Sequence, residues 1–283
     1  MNSVSGKIAF QGELGAYSHQ ACSEVYPALE PMPCKTFEAA LEAVRTRTAD
    51  LAMMPIENST YGRVADLHRL MPEAGLYIIG EHFVPVRVNL YGVEGATLEG
   101  VETARSHTVL LGQVSKFLHK HGIQPVTGAD TAGSVREIAE AGDATRAAMG
   151  SPLAGDIYNL STLAEGIQDN ANNTTRFLVM SRQRIEAEPG TNNAMTSFVF
   201  QVRNVPAALY KAMGGFATNK INMVKLESYM TDGSFTATQF YAEIEGHPED
   251  EGVAFAMEEL GFFTSYLKVL GTYPRAPFRL GNR

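Results

Sequence analysis

Arg182-Gln183-Arg184-Ile185-Glu186-Ala187-Glu188-Pro189-Gly190-Thr191-Asn192-Asn193 carries neither a helical nor a strand period, and it holds a Pro-Gly pair and two asparagines. Such a run reads as a linker, and the pattern of apolar residues differs on its two sides. Before it, short apolar runs alternate with amphipathic stretches: Lys7 to Phe10 with a helix from about Ser18 to Tyr26, and a helix from Thr36 to Arg47 with Leu51 to Ile56. The alternation resumes with Val101 to Arg105, a helix from Leu111 to His121, Gln124 to Thr127, a helix around Gly133 to Ala141, Arg146 to Met149, and a helix from Leu153 to Asn159. Strand and helix in turn predict an α/β layout of mostly parallel sheets, with ligands beyond the carboxyl ends of the strands.

After the linker the order becomes strand, helix, two strands, helix, strand. Met195 to Val202, a helix over Pro206 to Phe216 and Asn222 to Met230 come first; Thr231-Asp232-Gly233-Ser234 is a hairpin turn with Asp-Gly at its centre. Phe235 to Glu245, a helix from His247 to about Phe262, and Ser265 to Tyr273 complete the split βαβ order of a ferredoxin-like domain. The tail from Pro274 to Arg283 is expected to be loosely held.

A chain of 283 residues is long enough for two or three domains of about 100 to 150 residues each. With 45% hydrophobic and 19% charged residues and a formal charge of −8, it is expected to be soluble and to bind neither nucleic acid nor an anionic membrane. Its first residues lack a signal-peptide pattern and no apolar run is long enough to span a bilayer, so a cytoplasmic location is expected. Cys22 and Cys34 are expected to be buried or half-buried thiols, and with no close ligand pair no metal site is expected.

Polar residues gather where strands end. Asn172-Asn173-Thr174-Thr175-Arg176-Phe177 sets amides, hydroxyls and a guanidinium at the mouth of the apolar run Leu178-Val179-Met180. A core strand does not require these groups, whereas a pocket for an oxygen-rich anion does. Gln11-Gly12-Glu13-Leu14-Gly15-Ala16-Tyr17-Ser18-His19 turns tightly into a helix whose free N–H groups attract a carboxylate, although Ser18 also reads as a plain cap. Pro55-Ile56-Glu57-Asn58-Ser59-Thr60-Tyr61-Gly62, Ser106-His107 followed by Gln113, and Asp130-Thr131-Ala132-Gly133-Ser134 are the other clusters. His107 could do acid-base work, but without a partner in sequence it reads rather as a structural histidine. Together the clusters suggest a cleft for a small carboxylated molecule.

Gly12-x-x-Gly15-x-Tyr17-Ser18, Pro55-Ile56-Glu57-Asn58-Ser59-x-x-Gly62, Ser106-His107 with Gly112-Gln113, Thr131-Ala132-Gly133, and Asn173-x-Thr175-Arg176-Phe177 stand in the order found in prephenate dehydratases. The resemblance covers about residues 7 to 181, and the part beyond the linker resembles an ACT regulatory domain. It implies a two-lobed catalytic region like that of periplasmic binding proteins over 6–182, the first lobe about 6–83 with 165–182 and the second 84–164. A linker at 183–193 and an ACT domain at 194–275 would follow.

The activity implied is conversion of prephenate to phenylpyruvate, with loss of water and carbon dioxide, in phenylalanine biosynthesis, with no cofactor or metal. Arogenate dehydratase and a non-catalytic amino-acid sensor are the alternatives. By resemblance Thr175 serves the leaving hydroxyl, with Glu57, Asn58, Ser106 and Gln113 as further active-site groups. Arg176 is expected to hold a substrate carboxylate or else to bridge the lobes, and Ser18, Ser59, Gly62, Thr131, Gly133 and Phe177 are expected to bind substrate. Val88 and Val114 stand where the family often has histidine and cysteine. Asn204, Ala207, Ala208, Leu209, Glu227 and Ser228 are the expected regulatory site for L-phenylalanine, in a homodimer or homotetramer; the alternative is a domain that only dimerises.

Overall fold

The computed structural model describes residues 6–203, 205–230 and 237–281. In chain order the elements begin with β1 (Lys7–Gln11), α1 (Tyr17–Val25), β2 (Glu30–Cys34), α2 (Phe37–Arg45), β3 (Leu51–Asn58), β4 (Gly62–Arg63), α3 (Ala65–Leu70), β5 (Tyr77–Pro85) and β6 (Asn89–Gly92). Next are β7 (Thr103–Ser106), α4 (Thr108–Gln113), α5 (Ser115–His121), β8 (Gln124–Thr127), α6 (Thr131–Ala141), β9 (Arg146–Gly150), α7 (Pro152–Tyr158), β10 (Ser161–Ala164) and β11 (Thr174–Ser181). The last are β12 (Ala194–Val202), α8 (Ala208–Thr218), β13 (Met223–Met230), β14 (Ala237–Glu245), α9 (Glu251–Phe263), β15 (Thr264–Pro274) and α10 (Pro277–Gly281). Contacts divide the chain into two compact units: one runs to Val64 and resumes from His82 to Phe177, and the other takes Ala65–Glu81 and the chain from Leu178 on.

The expected two-lobed α/β layout is present as two sheets. The first has the order β2-β1-β3-β11-β5 with β4 on β3, and β1 lies parallel to both β2 and β3. Strand β2 escaped the sequence pattern because Pro31 and Pro33 interrupt it; they are tolerated because it is an edge strand with only one neighbour in the ladder. The second sheet has the order β10-β6-β9-β7-β8, with β7 parallel to β8 and β9 and the β6 and β10 pairings antiparallel. Val88, Leu90, Val114, Ala147 and Met149 pack in its core. The two straps between the sheets hold each other: Val86 N–H donates to Asn173 O at 2.8 Å, and Ile167 N–H donates to Val88 O at 2.9 Å.

Helix ends follow local chemistry. Thr36, Asp130 and Ser151 cap α2, α6 and α7 through their side-chain oxygens, while α5 and α6 end on Gly122 and Gly142 in the left-handed region. The helix expected over Leu111 to His121 is broken at Val114 into α4 and α5. Val114 is fully buried there, and Gln113 O accepts a hydrogen bond from Asp169 N at 2.6 Å.

Beyond the linker the order βαββαβ is realised, with antiparallel pairs in the order β13-β14-β12-β15 of a ferredoxin-like sheet. Phe198, Phe200, Ala212, Phe216, Ala256 and Leu260 fill the layer between sheet and helices. The expected hairpin at Thr231 to Ser234 lies outside the described residues. In the same unit Ala65–Glu81 packs with this sheet: Lys268 Nζ donates to Pro72 O at 2.7 Å, and His68 meets Tyr241 edge-on at 5.1 Å. Any Cβ on Gly271 would fall 2.0 Å from Ile78 O, so only glycine fits. The tail is not loose: Arg279 Nε and Nη2 donate to Glu81 at 2.7 and 3.0 Å, and that carboxylate is fully buried. Cys22 and Cys34 are unpaired thiols, buried and half-buried respectively, and burial pushes Cys22 up to about 12. No helix among the described residues is long and apolar enough to cross a membrane.

Candidate active site

A cavity of about 330 Å³ lies where β1, β3 and β7 end and β11, α1 and α6 begin. Ser18, Thr131, Thr175 and Phe177 line it, joined by Gln11, Tyr17, Pro55, His107 and Asp130. Among the described residues its lining has no lysine or arginine. Positive potential comes instead from the start of α1. No side chain caps that helix, whose first residues Tyr17 and Ser18 face the cavity, whereas the start of α6, at Thr131 and Ala132, is already capped by the Asp130 carboxylate. A carboxylate is attracted to such N–H groups without a cationic side chain.

The hydrogen bond at the centre runs from Asn58 Nδ2 to Thr175 Oγ1, at 3.0 Å. Its direction is fixed by the turn in which Asn58 sits. Asn58 Oδ1 accepts from the backbone N–H groups of Thr60 and Tyr61 at 2.9 and 3.0 Å, so only the amide nitrogen is left for the threonine. That turn is a tight hairpin in which Gly62 adopts φ +79°, returning the chain to pair Asn58 with Gly62 and Glu57 with Arg63. Ser59 ties it to the other wall, accepting from Thr174 N at 2.9 Å and donating to Asn172 O at 3.2 Å.

Thr175 and Phe177 project from β11 toward the cavity, and Arg176 between them points to the opposite face, as strand geometry requires. Only 2% exposed, it donates from Nη1 to Glu57 Oε1 at 2.9 Å and lies 5.9 Å over the Phe83 ring. The guanidinium expected to clamp substrate therefore braces β3 against β11 from behind, and the ion pair is internal to one lobe rather than a bridge between lobes.

The remaining expected residues form the frame. Ser106 is fully buried and donates to Met149 O at 3.1 Å. Gln113 Oε1 accepts from Asn173 Nδ2 at 2.9 Å, which explains why the polar mouth carries clustered amides. Gly133 makes room for the Asp130 cap, since a Cβ there would meet that carboxylate at 2.7 Å. Gly15, at φ +89°, lies where a Cβ would be 2.8 Å from Ala154 of the facing lobe, and Ser151 Oγ donates to its carbonyl at 2.6 Å.

His107, read in the sequence as structural, lines the cavity beside Asp130. Its Nδ1 accepts from Val109 N at 3.3 Å, so the neutral ring carries its proton on Nε2. Tyr17 donates its phenol to Arg87 O at 2.7 Å; burial, with a smaller effect from Tyr91, raises it far above the ordinary tyrosine value and keeps it a neutral donor. Gln11, Tyr17, His107 and Asp130 all stood in the quoted clusters, and a strict strand-end rule would have selected them. In the other unit Ala207 is left-handed at φ +61°, Leu209 packs against the core and Ser228 is exposed on β13, while Asn204 lies outside the described residues. Ala208 is buried, and Glu227 lies 3.5 Å from Lys225 Nζ.

Comparison with known proteins supplies the context for this cavity. A bifunctional N-acyl-homoserine lactone acylase/prephenate dehydratase of Komagataeibacter europaeus is 45% identical over 96% of this chain and 97% of its own length. Arogenate dehydratase/prephenate dehydratase 1 of Arabidopsis thaliana is 36% identical over 95% of this chain and 72% of that protein. The crystal structure of the Arthrobacter aurescens prephenate dehydratase in complex with L-Phe matches with a TM-score of 0.87 at 31% identity, covering 95% of this chain and 90% of that one. Residues 8–185 match the prephenate dehydratase family model, a span that contains every wall of the cavity. The chain accordingly belongs to the prephenate dehydratase family.

Proposed function

We propose that the chain converts prephenate to phenylpyruvate in L-phenylalanine biosynthesis. The observation that carries this reading is the directed Asn58–Thr175 bond at the cavity. Because the threonine oxygen accepts from Asn58, its own hydrogen is left to donate to the substrate's departing hydroxyl. In the reaction the electron pair of the ring carbon–carboxylate bond enters the ring as carbon dioxide leaves. The hydroxyl departs from the opposite carbon and takes one proton to become water. Aromatisation drives the step, so the site must chiefly orient the ring and stabilise the leaving oxygen. Thr175 performs the second task, and the uncapped start of α1 holds the pyruvyl carboxylate. Phe177 forms the apolar wall. The carboxylate that leaves gains nothing from a strong cation, which would stabilise the ground state, and Arg176 is paired with Glu57 behind the strand.

The carboxyl-terminal ferredoxin-like domain is read as an ACT domain that binds L-phenylalanine near Asn204, Ala207, Ala208, Leu209, Glu227 and Ser228 and feeds back on turnover. Apolar Leu226 and Met230 exposed on the edge strand β13 support its assembly with a second copy, giving a homodimer or homotetramer. The test is formation of phenylpyruvate from prephenate by the purified chain, with and without L-phenylalanine; absence of turnover refutes the activity. A higher kcat/KM on arogenate would reassign the substrate.

A second reading, hydrolysis of N-acyl homoserine lactones, is favoured by the 45% identical Komagataeibacter relative, whose name joins both activities. Release of homoserine lactone from the acylated compound tests it directly.

A further inference from the structure

The ferredoxin-like unit contains a second cavity, of about 450 Å³, distinct from the expected phenylalanine site at Ala207–Leu209 and Glu227–Ser228. It lies at the end of the sheet where β14 and β15 finish and the 13-residue helix α9 begins. Two independent features make it a site rather than a surface recess. First, the start of α9 is uncapped: the Asp250 carboxylate accepts from Gly190 N at 2.7 Å and His247 N at 3.0 Å, outside the helix. Glu251, Gly252 and Val253, the first helical residues, line the cavity. Second, the Arg275 side chain, which also lines it, is only 8% exposed. Its Nη1 lies 3.4 Å from Glu245, but its buried Nε has no hydrogen-bond partner among the described residues. A buried guanidinium N–H left unmade is costly, and an anionic oxygen would satisfy it together with the helix N–H groups.

The lining is mixed in charge. Lys220 and Arg275 are positive, whereas Glu245, Asp250 and Glu251 are negative, so a simple anion is poorly matched. A small molecule carrying both a carboxylate and an ammonium suits both halves. We infer that this cavity binds a free α-amino acid, its carboxylate over the start of α9 and Arg275, and its ammonium toward Glu245 and Glu251. The inference does not depend on the dehydratase reading or on the expected phenylalanine site.

Equilibrium dialysis of the full chain against each ordinary L-amino acid tests it. At least one should bind, and its decarboxylated amine and its N-acetyl derivative should each bind about tenfold more weakly or not at all. Lys220→Gly removes a cation at a residue already in the left-handed region (φ +59°), where glycine is at ease, so the fold is retained. Arg275→Met removes the guanidinium and keeps the stem. Weakening by Lys220→Gly, or by Arg275→Met with unaltered circular dichroism, supports the site, and binding that Glu227→Gln leaves intact distinguishes it from the other one. Failure of every amino acid to bind, or binding that survives both cavity substitutions, overturns the proposal.

Discussion

Asn58 donates to Thr175, and the bond cannot run the other way, because the Asn58 carbonyl is already engaged by the backbone N–H groups of Thr60 and Tyr61. The hairpin that returns the chain after β3 therefore sets the orientation of a hydroxyl on β11. A fold detail becomes a chemical one: the threonine oxygen is an acceptor toward the protein and a donor toward the cavity.

An aspartate at position 58 keeps the acceptor that Thr60 and Tyr61 need but turns a second oxygen toward Thr175, which must then donate to it. Asn58→Asp is expected to fold normally and lose about 10² in kcat, and Thr175→Ala about 10² to 10⁴. Steady-state rates of prephenate turnover check both. A folded Asn58→Asp enzyme with near-normal kcat would show that the direction of the bond does not matter.

Arg176 gives a contrasting expectation. Its partner Glu57 is 29% exposed while Arg176 is 2% exposed, so removing the carboxylate takes this counter-charge from the more deeply buried group. Glu57→Gln should cost about 3 kcal/mol of stability, seen as a lower urea midpoint with unchanged m-value. Arg176→Lys should leave KM within a few-fold, because the side chain lies behind the cavity wall. A KM raised about 10²-fold with stability unchanged would instead return Arg176 to the substrate.

The same alternation explains what the sequence disclosed and what it hid. Leu178-Val179-Met180 announces a buried strand, and the polar residues before it mark its mouth, so Thr175 is legible. That Arg176 must face away follows only once the strand is known to begin at Thr174, one residue ahead of the cluster's key hydroxyl. Prolines hid β2, whose edge position no local pattern reveals. The packing of Ala65–Glu81 with β15 depends on Gly271 admitting Ile78, a contact between residues nearly 200 positions apart, and neither segment signals it. By contrast the βαββαβ order beyond the linker is written in short, regularly spaced apolar runs, and there reading and structure agree.

His19 supplies a pH dependence. It is buried, stacks on Phe10 at 5.6 Å and accepts from Gly15 N through Nδ1 at 3.0 Å, an arrangement that only the neutral ring can make. Burial lowers its pKa below the ordinary 6.5. The unfolded chain therefore binds the proton more readily, and this contribution to stability is complete above pH 6.5 and is lost as pH falls through the folded value. Urea midpoints measured from about pH 8 to pH 5 should fall more for wild type than for His19→Gln. Parallel curves would remove His19 from the linkage.

The carboxyl-terminal tail offers the sharpest test of an expectation the structure reverses. Glu81 is fully buried and takes two hydrogen bonds from Arg279 and a third from Ala276 N at 3.1 Å, while Arg279 Nη2 also lies 3.5 Å from the buried Glu243. One cation thus serves two carboxylates that have lost water, and Tyr241 steadies the second by donating its phenol to Glu243. Arg279→Met preserves the aliphatic stem of the tail but leaves both acids without that charge, and breaking a buried pair from one side typically costs about 3 to 5 kcal/mol. Adding Glu81→Gln should recover part of the loss, since the amide needs no counter-charge, so the double variant should be more stable than Arg279→Met alone. Equilibrium urea unfolding of the wild type and the three variants measures the cycle. A loss below about 0.5 kcal/mol in Arg279→Met, the ordinary size of an exposed ion pair, would mean that the tail is held no more tightly than its polar, terminal sequence suggests.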